Sequence, residues 1–395
     1  MPGIRIVGES VACESTVKSE IEEGIAAAMK DVVEALTRPL TPEEKSPKPR
    51  TGKTPRVAFK GNIQEVNRFY YSKGWTDGLP IIPPTEAAVA EMMTGTDLPP
   101  DHIVATLIPR KGKATIEKIA INAVMAGALP TYMPVLIAAV QSLADPKTRF
   151  DTFEVSTGSW APFFAINGQI RNDINVNCSS GALSPGNIAN AAIGRAVGLI
   201  VKNIGGARKA VEDMGVIGNP GKYSLVIGED EEESPWEPLS VERGFKKEDN
   251  TVTVFFPNTF IQTVPSGTNA QGILDTLAGM TTSTMSSIIL IPSWAKVLSS
   301  EGWTKQKVKE YLAAHGTPTR SSVAGVPSAS SPPKIDTDSL MILVAGGPGS
   351  FIALLRSAGP GFFENALVTT KIELPKNWDK LVAKYKDLKP HYERY

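Results

Sequence analysis

Residues 184–198 read Ser184-Pro185-Gly186-Asn187-Ile188-Ala189-Asn190-Ala191-Ala192-Ile193-Gly194-Arg195-Ala196-Val197-Gly198, and this stretch decides the fold. Ser184 is a capping residue type, and Pro185 suits a first helical position, where a missing N–H costs nothing and φ is already helical. The run from Asn187 to about residue 202 is dense in small and apolar residues and predicts a buried helix that another backbone approaches closely. Short apolar and aromatic runs flank it at 160–167 and 223–227 and predict strands. A helix between two buried strands implies an α/β architecture, with mixed α+β as the alternative.

Outward from this unit, strands are expected at 103–108, 251–256, 287–291, 340–345 and 367–374. Helices are expected at 63–71, 85–95, 115–126 and 132–143, and another from Phe351. The expectation is a central sheet flanked by helices. Residues 15–36 place Val17, Ile21, Ile25, Met29, Val32, Val33 and Leu36 at helical spacing, an amphipathic helix with a face to dock on the body or on a second subunit. Residues 38–56 are Pro-rich and basic, the composition of an exposed tether. Residues 316–338 are rich in Ser, Pro, Thr and Gly and show no periodicity. The expected organisation is an N-terminal helix and linker at 1–56, a main substrate domain at 57–315, a linker at 316–338 and a smaller β-α-β-α segment at 339–395. No internal repeat is legible.

At 395 residues the chain is longer than one core usually serves. Its 41 basic and 41 acidic residues balance, so no net field recruits nucleic acid or an anionic membrane. Cys13 and Cys178 are too few for a disulfide framework and fit a reducing, cytoplasmic setting. Residues 1–10 lack a basic segment followed by an apolar core, and no apolar run approaches membrane-spanning length. The three histidines are scattered, so no His- or Cys-based metal site is expected. The acidic run 229–233 lacks the spacing of a calcium loop and reads as a solvated turn.

The candidate chemistry centres on Asn177-Cys178-Ser179-Ser180-Gly181, just before the expected helix start. Amide donors and the positive dipole end would bind an anion there and lower the Cys178 pKa. A buried, inert thiol is the bland alternative. Asn177, Ser179, Ser180, Gly186, Asn187 and Asn190 are the expected substrate contacts around it. Asp77, in the Trp75-Thr76-Asp77-Gly78 turn, is a turn former unless the turn folds inward, where it would act as general base or anchor. Lys118, with Asn122 one turn later, would bind an anion or donate a proton if desolvated, and is otherwise a surface lysine. Trp75 and Thr76 complete that wall, and Arg195 would pair with a carboxylate or an interface. The loop of Gly346, Gly347, Pro348, Gly349 and Ser350, expected between a strand and a helix, is a candidate cofactor cradle. It is neither a Walker loop nor a full dinucleotide fingerprint, and no cofactor is named by it.

Read together, Gly74-Trp75-Thr76-Asp77-Gly78-Leu79-Pro80-Ile81-Ile82-Pro83-Pro84-Thr85, the helix of 118–127 and Glu232-Glu233-Ser234-Pro235-Trp236-Glu237-Pro238 resemble a bacterial protein family found with, or fused to, a small thiol or selenol module called the UGSC family. The resemblance spans roughly residues 63–374. It implies an assembly whose reactive sulfur or selenium belongs to the partner, and it transfers no catalytic residue. The leading expectation is an oligomeric enzyme, or the large subunit of one, that binds a small anionic organic molecule. Its chemistry would be thiol-linked redox or lyase chemistry, with Cys178 or a partner thiol as nucleophile. The alternatives are a non-catalytic assembly subunit for a thiol or selenol partner and a nucleotide-dependent enzyme using the Gly346–Ser350 loop.

Overall fold

Buried runs of Val, Ile, Leu and Phe become the strands of two four-stranded sheets. The computed structural model describes residues 5–8, 11, 15, 17–46, 56–318, 334–357 and 367–388. The chain divides into two compact units, one on Met1–Lys60 and one on Gly61–Ser322 with Pro327–Tyr395. In the first, the helix Lys18–Thr37 ends where the Arg5 guanidinium donates to the carbonyls of Ala35, Arg38 and Pro39 and pairs with Glu44. A cation at a helix C-terminus satisfies carbonyls that have no helical donor. Cys13 lies outside the described residues.

The strands of the second unit are β1 (Ile103–Leu107), β2 (Gly112–Thr115), β3 (Phe163–Asn167), β4 (Val226–Gly228), β5 (Thr251–Phe255), β6 (Thr259–Thr263), β7 (Ser286–Leu290), β8 (Leu340–Val344), β9 (Ile352–Arg356) and β10 (Val368–Lys371). Among the described residues, β1 and β2 form a ribbon, and the two sheets have the orders β10-β5-β3-β4 and β6-β9-β7-β8. An α/β fold is thus the architecture. The two sheets repeat one plan. In each, a central strand (β3 or β7) crosses through helices to a parallel neighbour (β4 or β8), and an antiparallel strand (β5 or β9) returns on its other side. The fourth strand is exchanged: β6 follows β5 but pairs with β9, and β10 follows β9 but pairs with β5. The repeat is one of topology, so no similarity of residues announces it.

Side chains alternate across the second sheet with a period of two. Ile289, Met341, Leu343, Ala353 and Leu355 join the main core, which includes the helices Ile116–Met125, Met133–Ala144 and Ile188–Ile200. Ile288, Leu290, Ile342, Val344 and Leu354 face a second core under the helices Ala270–Met280, Pro292–Ser300 and Lys305–His315.

Three expectations change. The run after Ser350 is strand β9 and not a helix, because a five-residue apolar stretch has no decisive period and its pairing with β7 and β6 settles it. The central helix starts at Ile188 with Asn187 as N-cap, so Ser184 and Pro185 belong to the preceding turns. Gly186, at φ 134°, holds a conformation no right-handed helix contains and separates the two. The 339–395 segment supplies β8, β9 and β10 to both sheets.

Candidate functional site

The Trp75–Gly78 turn folds inward. The helix Ile63–Ser72 before it starts with a reciprocal cap: the Asn62 side chain accepts from Gln64 N and Glu65 N, and Asn62 N donates to Glu65. The Asn67 amide on that helix accepts from Ile81 N at 2.6 Å and donates to Ile81 O, pinning the far end of the turn. Trp75 packs edge-on against Phe69 and Tyr70. Asn122 accepts from Asn203, which donates to Trp75 O, so Asn122 positions the turn from behind.

Held this way, Asp77 meets Arg195 of the Ile188–Ile200 helix in a two-pronged ion pair of 2.8 and 3.0 Å, and Arg195 also donates to Pro80 O. A fork-to-fork pair of this kind fixes geometry as well as charge. Asp77 is therefore an anchor in this arrangement, its carboxylate already engaged. Beside it, Lys202 donates to Thr76 O, and burial pushes its ammonium below the usual lysine value, with Asp77 partly opposing. These groups line a cavity of about 420 Å³ with Tyr71, Lys209, Asp213, Lys222, Tyr223 and Glu154.

Glu154 is the residue that the sequence did not single out. It follows Phe153, is only 6 % exposed, and its carboxyl is pushed up to about 8 by burial, against the pull of Lys222 and with the help of Asp213. Lys222 and Asp213 pair with each other at 2.6 Å. With Glu154 protonated at neutral pH, four lining cations (Arg195, Lys202, Lys209, Lys222) face two carboxylates (Asp77, Asp213), an excess of two positive charges. The only sequence signal was a Glu directly after Phe150-Asp151-Thr152-Phe153, a carboxyl set among aromatic residues.

The Cys178 region is built differently. Asn190 is buried; it accepts from Asn177 N at 2.8 Å and donates to Asn177 O, Ala182 O and Val226 O, so its amide ties the loop to β4 instead of facing a ligand. Asn177 accepts from Ser179 N and donates to Ser180 O. Cys178 is a free thiol whose carbonyl accepts from Gly346 N. Burial raises the thiol above its ordinary value, Asp230 raises it further, and Arg171, 3.9 Å from the sulfur, only partly offsets this. The expected lowering of its pKa is not found, since the helix start lies beyond Gly186. That start, with Asn177, Asn187 and Arg171, borders a separate cavity of about 530 Å³.

Ser180 to Ser184 wall a third cavity, of about 500 Å³, together with the Gly346–Gly349 loop. Gly346 is required by its φ of 108°, and Gly347 by the close approach of the two loops, since a Cβ on it would lie 1.7 Å from Ser180 Oγ. This loop joins two strands, so the helix N-terminus expected behind it is not there. Ser350 lies outside this lining; its carbonyl accepts from Trp294 Nε1. Lys118 is exposed and donates to Lys113 O, away from all three cavities. The acidic run is a solvated turn only at Glu232 and Glu233, which are exposed: Glu229 is fully buried, pairs with Lys305 at 3.0 Å and accepts from Asn167 and Leu239 N. Among the described residues no group of three or more His, Cys, Asp or Glu side chains is placed to hold a metal ion, and no helix is long and apolar enough to cross a membrane. Comparison with protein-family models, curated proteins and solved structures finds no match.

Proposed function

We propose that this chain is an enzyme, or the large subunit of one, that binds a small organic anion in the Asp77–Arg195–Lys202 cavity and moves a proton there with Glu154. The observation that carries the reading is Glu154 itself: a carboxyl only 6 % exposed in a cavity with a surplus of cations, where burial pushes it up to about 8. A carboxylic acid kept neutral at pH 7 is a proton donor at working pH, and raised carboxyls beside depressed lysines mark acid–base sites. Lys202 and Lys209 would hold the anion; Asp77 and Arg195 would fix the wall it lies against. Proton transfer of this kind serves a lyase-type step. For thiol chemistry at Cys178 the support is weaker, because its surroundings favour the protonated form.

Calorimetric titration with malonate and with inorganic phosphate at pH 7 tests the reading. One small anion binds the wild-type protein stoichiometrically, and Lys202→Gln weakens it at least tenfold. Absence of binding by either anion, or equal binding by the variant, overturns it.

A further inference from the structure

The repeated plan of the two sheets invites a comparison of the crevices outside the carboxyl ends of their parallel strands, where α/β folds take ligands. In the first half, at the ends of β3 and β4, the space is filled. Glu229 is gripped by Lys305 and Asn167, and Glu231 accepts from Asn167 and Gly168 N and pairs with Arg171 at 3.3 Å. The plugging lysine comes from a helix of the second half. In the second half, at the ends of β7 and β8, the equivalent crevice is open and is the 500 Å³ cavity walled by the 180–184 loop of the first half.

Its chemistry is unlike that of the anion cavity. None of the described residues that line it is charged. Ile289, Ile291 and Ala353 supply an apolar floor, and Ala353 and Ala345 leave room where larger side chains would fill it. Phe260 on β6 and Phe351 before β9 stand at the cavity, each 54 % exposed, which is a costly place for two phenyl rings without an apolar partner. Gln262 is the one side-chain amide in the lining, on the same face of β6 as Phe260. Without a cation there, nothing balances the charge of a polyphosphate.

We infer that this cavity is a second ligand site, for an uncharged compound with a planar ring, which packs against Phe260 and Phe351 over the Ile289–Ala353 floor. Gln262 supplies its polar contact. The site is independent of the anion cavity, so either can fail alone. Phe260 and Phe351 are surface residues, and replacing them with serine leaves the cores intact.

The neutral naphthalene dye prodan is the probe, read by its own emission, with Trp294, bound to Ser350 O beside the cavity, as a second reporter. The wild-type protein binds one equivalent saturably, malonate does not displace it, and Phe260→Ser and Phe351→Ser each weaken binding at least fivefold at unchanged melting temperature. Ala353→Leu, which fills the floor, abolishes it. No saturable binding, displacement by malonate, or unchanged affinity in both serine variants overturns the assignment.

Discussion

Glu154→Gln exchanges a buried carboxyl for a neutral amide of the same shape, and its effect on stability depends on pH in a way the cavity dictates. In the unfolded chain the carboxyl titrates near its ordinary 4.5, whereas in the folded protein it titrates at about 8. Below pH 4.5 both states hold the proton and burial carries no charge penalty. Between pH 4.5 and 8 the unfolded chain releases a proton that the folded protein keeps, so stability falls by about 1.4 kcal/mol per pH unit. By pH 8 the loss is about 4 kcal/mol, and it levels off above that. The glutamine variant has no such loss. Urea unfolding followed by circular dichroism at pH 5, 6, 7 and 8, taken as the difference between variant and wild type, cancels every other titrating group. The variant gains about 3.5 kcal/mol relative to wild type between pH 5 and 8, because just under 1 kcal/mol of the loss is already present at pH 5. A difference that stays flat refutes the claim that Glu154 is folded in its protonated form.

Other consequences follow from the same structure. Asn190→Ala strands Asn177 N, Ala182 O and Val226 O and lowers stability by about 2–3 kcal/mol in urea unfolding; a loss under about 0.5 kcal/mol contradicts the clamp. Lys305→Met leaves Glu229 buried without its cation and costs about 3–5 kcal/mol by the same assay, and a neutral effect would show that the carboxylate is otherwise satisfied. Cys178 reacts with iodoacetamide more slowly than free glutathione at pH 7.5, the rate rising with pH; faster reaction would mean that Arg171 outweighs burial and Asp230.

Elements with a clear period or a buried apolar run were legible from residues alone. The strands at 163–167, 251–255, 286–290 and 340–344 and the helix 188–200 lie within three residues of expectation. The exchange of β6 and β10 between sheets was not legible, because strand partners are set by packing far along the chain and not by local pattern. Gly112-Lys113-Ala114-Thr115 has no strand signal of its own and becomes β2 only by pairing with β1. At the candidate site, the turn of Trp75, Thr76 and Asp77 and its Arg195 partner were visible as residue types that needed partners. Glu154 was not, since a lone Glu in sequence looks exposed and only the tertiary burial around Phe153 and Lys222 changes its chemistry. Asn190 and Glu229 went the other way: polar residues read as ligand-facing or solvated are consumed by internal hydrogen bonds.

The most direct measurement is a carbon-13 NMR titration of protein enriched at the glutamate side-chain carboxyl carbon, with Glu154→Gln identifying the resonance. One carboxyl, absent from the variant, titrates near pH 8 and shifts when malonate is added. A Glu154 resonance that titrates below pH 5 would contradict the proton-transfer site.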